Sequence, residues 1–226
     1  MLCGMSSGGM VAALMQDEGP RRKIDVQSWA RREHFEFFRT FEEPYHGVCV
    51  KVDCTAAYAA AKRLGCSFFL YYIYQSAAAA QTIENFRYVI VGEDVFLYDR
   101  VDAGSTIGRA DGTFGFARMP YRDTFAEFLA GASVEVERVR QSTGLARPAQ
   151  INLIRHSALP WTDFTALSHA RRFSGKDCSP QISFGKMTEQ DGRRSMPVSI
   201  HVHHALVDGL HVGQFIEAFQ ERMNRP

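Results

Sequence analysis

The 226-residue sequence predicts one α/β (α+β) unit, with helices packed on a mainly antiparallel or mixed sheet. Three observations predict it. Short alternating or β-rich runs recur at 47–53, 87–99, 113–118, 149–156 and 180–207, while helical spacing is confined to four segments. Those helices do not separate the strands in the regular crossover pattern that an all-parallel sheet requires. No linker or internal repeat divides the chain, and 46% hydrophobic with 12% aromatic residues supply one substantial core.

Taken in order, residues 1–22, rich in Gly, Ser and Met, read as a loose or variable arm, which leaves 23–226 as the domain. GVCVKVD (47–53) alternates as a strand, and Asp53 is placed to cap a helix through TAAYAAAKRL that stops at Gly65. Ser67 is placed to cap a second helix, FFLYYIYQSAAAAQTI, apolar on nearly all sides and so expected to be buried. RYVIVGEDVFLYD reads as a hairpin turning at Gly92, Glu93 and Asp94. After a strand near 113–118, TFAEFLAGASVEVERVRQ is amphipathic, with Phe125, Phe128, Leu129, Ala132, Val136 and Val139 inward. A strand is expected at 149–156, and a long antiparallel hairpin from Pro180 through Met187, the turn residues Gln190–Arg193, and PVSIHVHHALV. A last helix, Gly209 to Met223, presents Val212, Phe215, Ile216 and Phe219 to the body.

Twenty-six Lys plus Arg balance 25 Asp plus Glu, a net charge of +1 that gives no electrostatic reason to expect nucleic acid as a partner. Five cysteines, an odd number without CxxC pairs, argue against a disulfide framework and a zinc ribbon and fit a reducing cytoplasm. FFLYYIY is too short and interrupted to span a bilayer, and no basic residue precedes MVAALM as a signal peptide would require, so no membrane partner is expected.

The chemically informative stretch is HVHHALVDGLHVGQF (201–215), with four histidines around an Asp-Gly. Strand alternation sends His201 and His203 to one face and Val202 and His204 to the other, which weakens a metal reading; a zinc site would also need His211 and a carboxylate or thiolate in tetrahedral geometry. No metal is expected. Alone, the stretch is compatible with histidines that merely pack.

HHALVDG fits HHxxxDG and resembles the chloramphenicol acetyltransferase family, a pattern shared with acyltransferase domains of 2-oxoacid dehydrogenase complexes and condensation domains of peptide synthetases. SWARREHFEFF (28–38), SALPW (157–161) and HVGQFIEAFQ (211–220) narrow the resemblance to chloramphenicol acetyltransferases, over about Ile24 to Met223. It implies a two-layer sandwich and a homotrimer with active sites at subunit interfaces, the histidine coming from one protomer and much of the pocket from the next. It also implies acetyl transfer from acetyl-CoA, as co-substrate, to a hydroxyl of chloramphenicol or a similar small alcohol in a ternary complex.

By the same resemblance His204 is the general base, its other ring nitrogen held by a backbone carbonyl. Asp208 pairs with Arg31 in a positional role and is not the acid of a triad. Ser157 stabilises the oxyanion; no GxSxG elbow surrounds it, which disfavours a covalent serine hydrolase. Ser183 falls where relatives carry a water-ordering threonine, and Lys186 near the CoA end. Phe38 and Phe114 fit an aromatic acceptor lining or, equally, ordinary core positions. Glu42, Pro44, His46, Leu167 and His169 stand where relatives place apolar or aromatic pocket residues, so the polar ones among them could admit another alcohol. An O-acetyltransferase for a different small alcohol and a non-catalytic ligand-sequestering homologue are the alternatives.

Overall fold

The computed structural model describes residues 19–171 and 177–225. A six-strand path in the order β2-β10-β8-β7-β5-β6 forms the main sheet, with a short seventh strand, β9, pairing β10. The strands are β2 (Tyr45–Asp53), β5 (Asp102–Gly108), β6 (Phe114–Met119), β7 (Leu153–Ala158), β8 (Gln181–Phe184), β9 (Thr188–Gln190) and β10 (Arg193–His203). The sheet is mixed, as expected: β5, β7 and β8 run parallel to one another, and the remaining pairs are antiparallel. β1 (Arg21–Lys23), β3 (Tyr88–Val91) and β4 (Asp94–Tyr98) form a separate small sheet in the order β1-β4-β3.

The described residues also form five α-helices, α1 (Arg32–Phe38), α2 (Thr55–Arg63), α3 (Phe68–Gln81), α4 (Phe125–Gln141) and α5 (Gly209–Asn224), and one short 3-10 turn of helix (Glu84–Arg87). Every residue of α3 from Leu70 to Ala80 is buried, because the sequence offers it no polar face. α3 is tied to the sheet where Ser76 Oγ lies 3.0 Å from His156 Nε2 on β7. Thr124 caps α4, its hydroxyl accepting from the Glu127 N–H at 3.3 Å, and Phe128, Ala132, Val136 and Val139 are buried. Val212, Phe215, Phe219 and Met223 do the same for α5.

Several expectations move. Arg21 and Arg22, within the span read as an arm, pair with Tyr98 and Leu97 on β4, while residues 1–18 lie outside the described residues. Cys54 occupies the cap position of α2, yet Asp53 still supplies the acceptor, its Oδ1 taking the Thr55 N–H at 2.8 Å. Ser67 makes no side-chain cap bond. The strand expected at 149–156 begins at Leu153, and β5 is an element that the apolar pattern did not signal. The long hairpin splits: β9 and β10 join through Asp191 and Gly192, both at positive φ as a two-residue turn demands, whereas β8 pairs farther along β10.

Candidate active site

β10 ends at His203, so His204 does not continue the alternation; it opens a turn whose first N–H is donated to Pro44 O at 2.8 Å. The N–H groups of Leu206 and Val207 close back on His203 O at 2.9 and 3.0 Å, and Ala205, Leu206 and Val207 are buried beneath. The sequence needs three apolar residues here to pin the turn into the core. Asp208 then starts α5, with His211 Nδ1 accepting the Asp208 N–H at 3.0 Å.

The Arg31–Asp208 pair forms across 177 positions of chain, both guanidinium NH groups meeting the carboxylate. Arg31 also donates through Nε to Ala205 O at 2.9 Å and through NH2 to His204 O at 2.8 Å. One side chain from the start of α1 therefore grips the turn at three points. The Arg31 hydrogen bond is the main reason the Asp208 carboxyl is held below its ordinary range.

One expectation is corrected here. His204 Nδ1 lies 3.1 Å from Asp208 Oδ1, so the acceptor that fixes the imidazole is this carboxylate and not a backbone carbonyl. The reason is local: Arg31 already occupies the carbonyls of His204 and Ala205, and the turn folds Asp208, four residues on, under the ring. Asp208 thus holds both Arg31 and His204. A neutral ring with its Nδ1 hydrogen on Asp208 leaves the Nε2 lone pair as a base. The Phe38 ring stacks on the His204 ring at 3.9 Å with an 8° interplanar angle, and His46 leans on it at 4.3 Å. His46 Nε2 donates to Val207 O at 3.1 Å, and burial pushes its pKa down.

The other histidines are separately engaged: His201 Nδ1 with Ser199 Oγ at 3.1 Å, and His203 Nδ1 with the Ala205 N–H at 3.3 Å. Burial drives both rings down to about 4, so they are neutral. Among the described residues no group of three or more His, Cys, Asp or Glu is arranged to hold a metal ion.

Ser157 and Ser183 face each other on β7 and β8. They line a cavity of about 330 Å³ together with Phe114, Phe116, His169 and Arg147. Ser183 is buried completely, its Oγ 3.4 Å from His169 Nε2, whereas Ser157 is partly exposed. Phe114 is 45% exposed on the edge strand, edge-on to Phe116, and so is not a core residue in this chain. A neighbouring cavity of about 670 Å³ is lined by Glu42, Glu43, Pro44, Tyr45, Arg171 and Asp177, among others. Glu43 pairs with Arg171, whose guanidinium lies 4.4 Å over the Tyr45 ring. Lys186, exposed beyond β8, and the half-buried Leu167 are on the wall of neither cavity.

His204 and Ser157 are far apart within one chain. His204 lies five residues beyond Ser199, which pairs with Ser183, and Ser157 is one strand further; at about 3.3 Å per residue and about 4.8 Å per strand they are roughly 19 Å apart. A single carbonyl cannot touch both.

A family model described as chloramphenicol acetyltransferase matches residues 21–220. The chain belongs to the chloramphenicol acetyltransferase family. It is 30% identical to chloramphenicol acetyltransferase 3 of Escherichia coli, over 89% of this chain and 96% of that protein. It is 28% identical to a chloramphenicol acetyltransferase of Bacillus pumilus, over 87% and 90%. A solved chloramphenicol acetyltransferase superposes with a TM-score of 0.84 at 31% identity, covering 90% of this chain and all of that one. As a member of this family the chain is an acyltransferase. Sequence reasoning placed His201 on one face of β10 but did not single out Ser199, its partner on that face, or the link from His169 to Ser183. No pattern signals the latter, since His169 lies in an aperiodic loop.

Proposed function

We propose that this chloramphenicol acetyltransferase family member moves the acetyl group of acetyl-CoA to a hydroxyl of chloramphenicol, with His204 as general base in a ternary complex. The observation that carries this is the His204–Asp208–Arg31 constellation, which ties down Nδ1 and leaves Nε2 as a base on a ring 32% exposed. Nε2 takes the hydroxyl proton as the oxygen attacks the thioester carbonyl carbon. The tetrahedral oxyanion is stabilised by the Ser157 hydroxyl, the C–S bond then breaks, and the CoA sulfur leaves with the proton returned from the imidazolium.

Because about 19 Å separates His204 from Ser157 in one chain, the site needs a second copy to bring a serine to the histidine. A homotrimer that closes three such contacts satisfies this requirement. Phe38, stacked on the base, and Phe114, exposed beside the Ser157 cavity, are the aromatic walls of the acceptor site.

A second reading, acetylation of another small alcohol, is favoured by Glu42 on the wall of the larger cavity and by His46 against the His204 ring. The test is release of CoA thiol from acetyl-CoA with chloramphenicol and with a panel of small alcohols, for the native protein and His204→Ala. The expected result is turnover with chloramphenicol that falls by about 10²–10⁴-fold in His204→Ala while ligand binding persists. Turnover unchanged by His204→Ala removes the base; no turnover in the native protein supports a sequestering homologue instead.

A further inference from the structure

The cavity that holds Ser157 also contains a residue to which the reaction steps proposed above give no part. Ser183 stands next to Ser157 across the β7–β8 pair, yet it has no exposed surface. Between its hydroxyl and the cavity sits His169: the ring lines the cavity, is only half-buried, and has Nε2 3.4 Å from Ser183 Oγ. With the imidazole covering it, the Ser183 hydroxyl reaches the open part of the cavity only through His169.

His169 is in turn fixed from behind. The His201 ring meets it edge-on at 4.9 Å and a 90° angle, and His201 is itself anchored by Ser199 at 3.1 Å. The His201 ring lies against Gly47 on β2, where a Cβ would stand only 2.3 Å from it, so the absence of a side chain at that point makes room for the ring. The charged groups around the pair are Arg171 and Glu43, bonded to each other. Burial, with Arg171 adding to it, keeps the His169 imidazole below its ordinary pKa, so a neutral ring that can donate or accept faces the cavity.

Neighbouring strands stand about 4.8 Å apart, and adding the bond from Ser183 puts His169 Nε2 within about 8 Å of the position of Ser157. That is the reach of a second polar group a few carbon atoms from a hydroxyl whose acyl partner lies at Ser157. We infer that His169, and not Ser183, is the polar residue that meets the acceptor alcohol, recognising an uncharged hydrogen-bonding group near its reacting hydroxyl, with Ser183 acting only through the imidazole. This rests on the acyl-transfer reading above. It makes His169 a specificity-determining residue and Ser183 a positioning residue, whose hydroxyl selects the tautomer His169 presents.

A double-mutant cycle decides it: His169→Leu, Ser183→Ala and the pair, read by calorimetric binding of chloramphenicol to the CoA-loaded protein and by kcat/KM. His169→Leu is expected to weaken chloramphenicol binding about tenfold, the scale of one hydrogen bond in a desolvated site, and Ser183→Ala by less. In the His169→Leu background, Ser183→Ala is expected to cost nothing further, because its route to the substrate is gone. His169→Gln, which keeps an amide near the Nε2 position, restores part of the loss. Additive costs, or a Ser183→Ala effect that survives in His169→Leu, show that Ser183 touches the ligand itself and overturn the inference. Binding unchanged in His169→Leu overturns it as well. Either result with turnover still dependent on His204 leaves the acyl-transfer reading standing. A native protein that binds no alcohol of the panel sinks both together.

Discussion

Replacing Arg31 by Met removes one side chain and tests why the base is held. Arg31 is nearly buried, its side chain 10% exposed, and its partner Asp208 is 30% exposed. The substitution deletes the carboxylate bonds and orphans the carbonyls of His204 and Ala205. Breaking a buried ion pair by removing one partner costs about 3–5 kcal/mol, and partial hydration of Asp208 places this case near the lower end, at about 3 kcal/mol. For a chain of this size, about 2–4 °C of melting temperature accompanies each kcal/mol, so a fall of roughly 6–12 °C is expected in differential scanning calorimetry. Turnover should drop about 10²-fold, since the turn carrying His204 loses its clamp.

The pH dependence has a definite sign. Arg31 depresses the folded Asp208 pKa, so the pair's contribution is complete above the unfolded value near pH 4 and is lost as pH falls through the folded value below it. The gap in stability between native and Arg31→Met should therefore be constant at neutral pH and shrink below about pH 4. Asp208→Asn combined with Arg31→Met should cost less than the sum of the two. A variant melting within about a degree of the native protein at full activity would refute the clamp.

Other expectations follow from single contacts. His156 is buried to 3% exposure and driven down to about 4 by burial, so the stability it contributes is present above the unfolded value near pH 6.5 and lost as pH falls toward 4; His156→Gln should flatten urea-unfolding stability over that window. Gly47→Ala drives a methyl into the His201 ring and should destabilise by about 1–3 kcal/mol, measured by chemical denaturation; an unchanged midpoint would show that the ring moves freely. Ser157→Ala should lower kcat on the order of 10²-fold with little change in CoA binding, and equal kcat would remove it from the oxyanion role.

Much of the frame was legible because apolar spacing carried it. Phe128, Ala132, Val136 and Val139 recur at helical intervals and are buried on α4, and the unbroken apolar surface of α3 announced a central helix. β5 was not legible: DAGSTIG is short of β-branched and aromatic residues, and its place beside β7 is dictated by tertiary pairing. In the site, Arg31 and Asp208 could be joined only through a family resemblance, since nothing local links residues so far apart in sequence. The bond from His204 to Asp208 depends on β10 ending at His203, four residues short of the Val207 to which the expected strand run extends. The half-buried position of His46 follows from β2 starting two residues before the alternating run at 47–53, and the cap that His169 places on Ser183 arises from a loop without period, where composition is silent.

The wide spacing of His204 and Ser157 on a single sheet has a genetic consequence. Under the proposed trimer, two genes, one damaged at the histidine and the other at the serine, would each encode an inert product; expressed together and assembled at random, about a quarter of their junctions would unite an intact histidine with an intact serine. Complementation between two dead alleles is the outcome that the proposed shared site predicts, and its absence would count against that site.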